Sequence, residues 1–453
     1  MINLKQTDNL EKWLNILLTE RISSLIKIKL VHDDQIFWEL SFKQYSKKIK
    51  IIFNEKLYKI GYQKDLECPI IKIKNSLFRS QFTHLPAPGS NLTNHQIFIN
   101  NKNSFTINYD ILGLSYWMLN RCEEINSEAK FFDSHGRFKS NYSHSVINNY
   151  HIRPIVDEWF IFLSEAISFN FPEIKIKKTK FKISPTIDVD NPRRFSLLFK
   201  KRILYNYIRS FLNDISFRNL INLFSTFLNH NVKDPYDSFD WLLQVNKSLN
   251  LKTDFYFMVE QENWRYDTGY KIENPIIKNL IKKISLDGNK IFLHPSYNSI
   301  NKSKGIYFEL KKLKNLCSKL SIKQNKWGAR MHYLRFIFPE TAYQYIEAGI
   351  KFDSSLFFDD APGFRCGTCK EYKLFDPLKN KILNLVERPI IFMDDSFITN
   401  TTVDDEIFFE SIQKMFFFKN KCKNVGGNFT FIWHNCKLNN KKLKEFYIKT
   451  INN

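Results

Sequence analysis

Short apolar runs alternate with longer amphipathic stretches from about residue 180 to the carboxyl-terminal end of the chain. Seven runs have the length and composition of strands, and they lie at 181–187, 253–258, 291–293, 327–329, 349–352, 389–393 and 429–433. Between them, apolar residues recur at helical spacing in 238–249, 275–284, 309–320 and 339–348. This alternation predicts βα units around a parallel sheet, and therefore an α/β fold.

Most of the predicted strands run directly into a polar side chain. These side chains are Asp188, Asp190, His294, Arg330, Asp353, Asp394 and His434. The carboxyl ends of the strands in a βα barrel share one face, and active sites lie on that face. The pattern therefore predicts a closed or nearly closed barrel over about 180–445, with its site at the strand ends.

Asp188 and Asp190 follow the first predicted strand and are the first candidates for chemistry. One such carboxylate can bind a cation while the other holds or deprotonates a water molecule. An ordinary acidic turn explains this pair equally well when the pair is taken alone. The recurrence of polar strand ends along the chain favours a functional site.

The strand ends resemble the NodB-type polysaccharide deacetylases, carbohydrate esterases that remove N- or O-acetyl groups from glycans. The motifs that carry the resemblance are, in chain order, Thr186–Asp190, His294–Ser299, Arg330–Phe336, Asp353–Leu356 with Gly363–Cys369, and Phe431–Asn435. The resemblance spans roughly 180–440. It implies a distorted (β/α)7 barrel and metal-assisted deacetylation of an N-acetylated glycan or sugar precursor.

The resemblance also implies a role for each matching residue. Asp188 would be the general base for the attacking water, and His434 would protonate the leaving amine or alkoxide. Asp190 and His294 would ligate a divalent metal, with zinc as the favoured ion. Arg330 would hold Asp188 in place or meet substrate oxygens.

The sequence departs from the family pattern at Asn298. The family usually has two histidines four positions apart, and here His294 is followed by Asn298. Imidazole suits zinc better than an amide oxygen does, and catalytic zinc usually has three protein ligands. Asn298 is the third ligand by position; alternatively, His332 fills that place, or the metal binds weakly or is absent.

Two functions stay open at this point. The first is the deacetylase, with His332, Tyr297, Asp353, Asp394 and Trp433 assigned to substrate binding. The second is a catalytically impaired glycan-binding protein on the same barrel, which the Asn298 departure favours. The retention of both an acid and a base favours the enzyme.

Residues 1–175 are predicted to form a smaller N-terminal α+β domain. Apolar-rich runs at 27–30, 35–42 and 49–53 predict strands, and an apolar stripe over 111–125 predicts a helix. The segments 132–138 and 153–159 resemble a domain of unknown function that precedes the deacetylase domain in some bacterial proteins. We expect a structural or docking role for these two segments rather than a chemical one.

A basic and aromatic segment at about 193–235 separates the first motif from the next strand. A lid over the groove, a membrane-surface patch and a nucleic-acid patch are all open interpretations. A solvated helical insertion with its aromatic side on the barrel is favoured over them.

The formal net charge of the 453-residue chain is +22, which would attract polyanions. The lysines are spread along the chain, however, so this charge is weak support for a nucleic-acid partner. Seven cysteines at scattered positions indicate reduced thiols, and Cys366 and Cys369 are expected in a loop near the groove. Residues 1–30 lack a signal-peptide pattern, and no apolar run is long enough to span a membrane. These features predict a cytoplasmic protein, with peripheral membrane contact left open and the oligomeric state not indicated.

Overall fold

The computed structural model describes residues 7–43, 45–73, 78, 80–90, 97–101, 104–194, 234–261, 263, 265–267, 270–398 and 404–452. Most of the predicted insertion at about 193–235 lies outside these described residues. The described part contains two main sheets, one built from the N-terminal third of the chain and one from the remainder.

The N-terminal third has a five-stranded sheet with helices packed around it. Its strands are β1 (Ile26–His32), β2 (Ile36–Phe42), β3 (Lys48–Ile52), β6 (Phe98–Asn100) and β7 (Ser104–Ile107), in the order β1-β2-β3-β7-β6. A separate pair is formed by β4 (Ile70–Lys72) and β5 (His84–Pro86), and the helices are α1 (Asp8–Arg21), α2 (Ile111–Leu119), α3 (His144–Ile147) and α4 (Ile155–Asn170). Buried and exposed residues alternate along most of β1, and α1 contacts this strand. The three strands predicted here are all present.

The helix predicted over 111–125 ends early, at Leu119. Arg121 has a φ of 48°, and this left-handed backbone does not continue an α-helix. The turn places the Arg121 guanidinium in the protein interior, 2.7 Å from a Glu123 oxygen and 2.8 Å from a Glu124 oxygen. The apolar stripe predicted the helix correctly as far as Leu119. Beyond that residue, the backbone follows the pairing of the buried Arg121 side chain.

The larger sheet has nine strands in the order β13-β14-β12-β11-β10-β9-β8-β16-β15. Their bounds are β8 (Lys182–Val189), β9 (Asp254–Phe257), β10 (Lys290–Leu293), β11 (Gly328–Ala329), β12 (Phe352–Asp353), β13 (Tyr372–Asp376), β14 (Lys381–Glu387), β15 (Phe392–Met393) and β16 (Asn428–His434). Each neighbouring pair in the order from β14 to β15 is parallel, whereas β13 pairs with β14 in the antiparallel direction. All seven predicted strands are in this sheet.

Helices follow most strands of the larger sheet. They are α5 (Phe239–Ser248), α6 (Pro275–Leu286), α7 (Gly305–Lys319), α8 (Glu340–Ala348), α9 (Asp405–Asn424) and α10 (Lys441–Ile451). The first four coincide with the four predicted amphipathic stretches. Among the described residues, β13 and β15 are the edges of the sheet, so the structure shows a large parallel sheet and does not show the predicted closure into a barrel.

Buried polar contacts join the N-terminal third to the larger sheet. The Trp13 indole on α1 donates to the Lys373 carbonyl at 2.6 Å, and Asp157, which pairs with Arg21, also accepts from the Thr368 hydroxyl at 2.8 Å. Arg365 forms a second buried pair with Glu124, at 2.8 Å. The two parts share one continuous apolar core, so the boundary between a domain at 1–175 and one at 180–445 stays a prediction.

The loop with Cys366 and Cys369 belongs to this junction. Both thiols are buried, and the Cys369 backbone N–H donates to Asp157 at 2.9 Å. Asp157 lies on α4, so the loop packs against the N-terminal helices. All seven cysteines are free.

The buried network around Glu124 yields a stability prediction. Glu124→Ala leaves the guanidinium groups of Arg121 and Arg365 without a carboxylate that they share. We expect a loss of about 3–5 kcal/mol in the free energy of unfolding, the usual cost of breaking a buried ion pair. Chemical denaturation measures it, with Glu128→Ala as the control, because Glu128 forms an exposed pair with Lys130. The control should change stability by less than about 0.5 kcal/mol; equal losses in the two variants would contradict the network's importance.

Candidate active site

Parallel register brings the first and last motifs together. In the pairing of β8 with β16, Asp188 lies opposite His434, and on the other side of β8 it lies opposite Tyr256 of β9. Asp190 follows the end of β8, and His294 follows the end of β10. Because parallel strands end at the same edge of the sheet, these side chains meet there.

A cavity of about 550 Å³ opens at this edge. The described residues that line it are Arg137, Asp188, Asp190, Asn191, Tyr266, His294, Met331, His332, Tyr333, Leu334, Asp359, Asp360, Met393, Asp395, Ser396, Ile432 and His434. Its volume lies in the range of small-molecule sites.

Asp190, His294 and His332 form a group whose ligand atoms all lie within 4.8 Å of one another. The Nε2 atom of His294 is 3.3 Å from one Asp190 oxygen, and the Nε2 atom of His332 is 3.7 Å from the other. One carboxylate and two imidazoles form a donor set suited to a catalytic zinc ion with an open position. These residues therefore fit a divalent metal.

Both imidazoles are oriented by oxygen atoms near Nδ1, the ring nitrogen that faces away from Asp190. The Nδ1 atom of His294 lies 2.6 Å from the Arg330 carbonyl oxygen, which can only accept, so Nδ1 carries the proton and Nε2 faces Asp190. The Nδ1 atom of His332 lies 3.4 Å from Asp267, whose carboxylate also accepts from the Tyr297 backbone N–H at 2.7 Å. Such partners on the far nitrogen fix the orientation of metal-binding histidines. Asp267 was not among the residues predicted from the sequence, because it lies in a loop without a recognisable motif.

The charges in the group shift the pKa values of Asp190 and His332 in opposite directions. Burial would raise the pKa of Asp190, but His332 and His294 hold that pKa well below its usual value. Burial would lower the pKa of His332, but Asp190 and Asp267 raise it to about 8. The group thus attracts positive charge, and a metal ion and a proton would compete for the same imidazole.

Arg330 holds Asp188. Its fully buried guanidinium donates from Nη1 to Asp188 at 2.5 Å and from Nε to the Ser354 carbonyl at 2.8 Å. The same group lies 4.1 Å from the centre of the Tyr256 ring. The other Asp188 oxygen is 3.9 Å from Nε2 of His294, so this carboxylate borders the metal-binding group.

His434 is held by Asp394, which follows β15. One Asp394 oxygen lies 2.8 Å from Nδ1 of His434, and the other accepts the His434 backbone N–H at 2.8 Å. Burial would lower the pKa of His434, but Asp394 and Asp395 raise it well above its usual value. Its Nε2 atom points toward Asp190 at 3.7 Å. The arrangement favours a protonated imidazole that can donate a proton into the cavity.

The metal-binding group contains His332, which the sequence assigned to substrate binding and also left open as an alternative to Asn298 for the third ligand. Asn298 lies in the turn after β10, at the start of the one-turn helix Ser299–Asn301, and is not among the described residues that line the cavity. The adjacent Tyr297 is buried, and its hydroxyl lies 2.7 Å from Nδ1 of His135. His332 reaches the group from the loop after β11.

Three further predicted substrate residues lie behind the cavity surface. Asp394 acts on His434, as described, and Asp353 is buried and accepts from the Ser355 hydroxyl at 2.5 Å. Trp433 is fully buried and packs on Tyr447 of α10, 5.2 Å between ring centres. Side chains alternate across a strand, so the neighbours of Trp433 face the cavity while Trp433 faces the helices.

Part of the cavity surface is supplied by loops that sequence periodicity does not detect. Tyr266, Tyr333, Asp359 and Asp360 come from loops beside the larger sheet, and Arg137 comes from the N-terminal third. Arg137 lies in the segment 132–138, which the sequence linked to a domain of unknown function and to a structural or docking role.

Comparisons with known proteins leave much of the chain without a matching family. A family of unknown function (DUF7033) matches residues 21–172. No curated protein matches the chain. A candidate polysaccharide deacetylase from Mycobacterium smegmatis is similar in structure, with a TM-score of 0.40, 14% identity, and coverage of 61% of this chain and 84% of its own. The Puue allantoinase gives a TM-score of 0.36 and 11% identity, with coverage of 60% and 83%. Likenesses this weak do not bear on function.

Within the described residues, every helix is too short or too polar to cross a membrane.

The geometry predicts which side chain completes the metal site. His332→Ala should weaken zinc binding more than the roughly 10–100-fold loss typical of removing an orienting partner, because it removes a ligand. Asn298→Ala is the matched control and should leave zinc affinity unchanged. Isothermal titration calorimetry measures both. The reverse result, with only Asn298→Ala weakening zinc, would show that the ion uses the position expected from the family.

Proposed function

We propose that the chain is a metal-dependent hydrolase that removes an acetyl group from an N-acetylated sugar of a glycan or glycan precursor. One observation carries the proposal: a metal-binding group, an arginine-held carboxylate and an aspartate-held histidine border one cavity. These are the parts that amide hydrolysis needs, namely an electrophilic centre, a base and an acid. We assign this chemistry to a catalytic unit at 180–445.

In this proposal Asp190, His294 and His332 hold a divalent ion, with zinc as the favoured one. A bound ion lowers the pKa of a coordinated water and polarises the acetyl carbonyl. Asp188 borders the same group and is the base that accepts the proton from the attacking water. Arg330 keeps the carboxylate of Asp188 turned toward the cavity and supports its negative charge.

His434 is the acid. Attack of water on the acetyl carbon gives a tetrahedral centre, and the bond to the sugar nitrogen must then break. A proton from Nε2 of His434 goes to that nitrogen, so the amine leaves as a neutral group, and the acetic acid that forms releases its remaining proton to give acetate. Asp394 and Asp395 keep the imidazole charged before the transfer, as the raised pKa of His434 indicates.

The wall of the cavity fits a polyhydroxylated ligand. Tyr266 and Tyr333 line it with aromatic rings, and Asp359, Asp360 and Asp395 offer carboxylate oxygens that accept hydrogen bonds from hydroxyl groups. The glycan-binding alternative drew its support from Asn298, and that support is weaker now that His332 lies in the group. Seven free cysteines agree with a reducing compartment, and we propose a cytoplasmic location, with peripheral membrane contact left as an alternative.

The proposed chemistry is tested by two substitutions at the site. Asp188→Asn should abolish acetate release from N-acetylated oligosaccharides while the metal stays bound, because it removes the base and no ligand. His434→Ala should lower turnover by roughly 10²–10⁴-fold, the usual contribution of a positioned acid. Asp405→Asn is the control, since Asp405 is highly exposed at the start of α9.

Acetate is measured with zinc or cobalt added, and metal content is measured on the same samples. Activity that survives both substitutions would show that the assigned roles are wrong. A wild-type protein that binds metal and acetylated sugars but releases no acetate would favour the glycan-binding function.

A further inference from the structure

The loop that carries His332 has a backbone that ordinary side chains avoid. Tyr333 and Leu334, which directly follow the histidine, have φ values of 58° and 55°. Residues with a Cβ atom rarely adopt this left-handed conformation, and it persists only where the surroundings enforce it. Something other than local preference must therefore hold His332 in the metal-binding group.

A turn from the N-terminal third lies against this loop. The His135 carbonyl accepts from Nε of Arg335 at 2.7 Å, and the His135 ring lies 4.9 Å from the Tyr333 ring, centre to centre. Arg137 donates to the Tyr333 carbonyl at 3.4 Å and pairs with Asp359 at 2.9 Å. The turn thus contacts the two sides of the strained segment, at Tyr333 and at Arg335.

The turn is itself rigid enough to act as a support. Phe132 and Phe138 form an antiparallel bridge at its base. One Asp133 oxygen accepts the backbone N–H groups of His135 at 2.9 Å and Arg137 at 2.8 Å, and the other pairs with the Arg137 side chain at 2.7 Å. Gly136 has a φ of 77°, which suits glycine at the tip.

We infer that the turn 133–137 is a positioning element that holds the His332 loop in its metal-binding conformation. The inference rests on the proposed function only in taking His332 as a metal ligand. The turn lies inside the segment that matches the family of unknown function, at residues 21–172. In this chain, the described residues of that segment therefore contribute to the metal site without supplying a ligand.

Arg137→Ala tests the inference without touching a ligand. We expect zinc affinity, measured by competition with a chelator, to fall about 10–100-fold, as when a partner that orients a ligand is removed. The visible spectrum of the cobalt-substituted protein should also change, because His332 would shift or dissociate. Arg153→Ala is the matched control: this arginine lies in the same third of the chain and pairs with Glu158. It should leave the affinity and the spectrum unchanged.

A double variant separates positioning from general destabilisation. In a Tyr333→Gly background, a positive φ costs the backbone little. The loop then needs less support, and adding Arg137→Ala should reduce zinc affinity by less than about 3-fold. The difference between this loss and the loss in the wild-type background measures the coupling of the two residues, and it lies in the range usual for neighbours in contact. Asp359→Asn removes the charge that pairs with Arg137 on the partly exposed side of this contact. This variant replaces Arg137→Ala in the test if Arg137→Ala fails to fold.

The outcomes distinguish this inference from the proposed function. If Arg137→Ala binds zinc as tightly as wild type with an unchanged cobalt spectrum, the positioning role is overturned while the metal site stands. Equal losses for Arg137→Ala and Arg153→Ala would also overturn it. If the wild-type protein binds no zinc or cobalt, both the inference and the proposed function are wrong.

Discussion

The pairing of Arg330 with Asp188 is the interaction on which the rest of the site depends. Arg330 has no exposed surface, and a guanidinium cannot lose its proton in a protein. Its charge must therefore be met inside, by Asp188 and by the Ser354 carbonyl and hydroxyl. These partners lie at the ends of different parallel strands, so the pairing fixes the strand ends relative to one another. The Arg330 carbonyl also fixes the imidazole of His294, which links Asp188, the proposed base, to the metal-binding group.

Buried charge plays the same part at the junction between the N-terminal third and the larger sheet. Arg121 and Arg365 share Glu124, and Arg21 pairs with Asp157. Arg365 and Glu124 are distant in sequence, as are Arg21 and Asp157, and an unpaired charge in such a place would be costly. Phe138, at the base of the turn 133–137, packs in an apolar cluster with Phe358, and the Arg365 guanidinium lies 4.4 Å from the centre of the Phe358 ring, so the turn is connected to this junction.

Much of the fold could be predicted because hydrophobic periodicity is a local signal. All seven predicted strands and the four predicted helices between them are present. The strand ends bring Asp188, Asp190, His294, Arg330 and His434 to one edge of the sheet. The rest depended on contacts across the chain. Nothing local shows that Asp267 lies behind His332, or that His332 lies beside Asp190. The early end of the helix at Leu119 likewise follows from a buried ion pair, which the apolar stripe does not reveal.

The carboxylate-rich lining of the cavity is opposite in charge to the protein as a whole. The chain carries a formal charge of +22, whereas five aspartates and one arginine line the described cavity. Before a metal ion binds, these aspartates would repel an anionic ligand that the positive protein surface attracts. In the proposed reaction, the freed amine gains a proton in water and becomes a cation among carboxylates. The same charges that suit a metal ion would then retain the product, and salt, by screening them, would speed its departure.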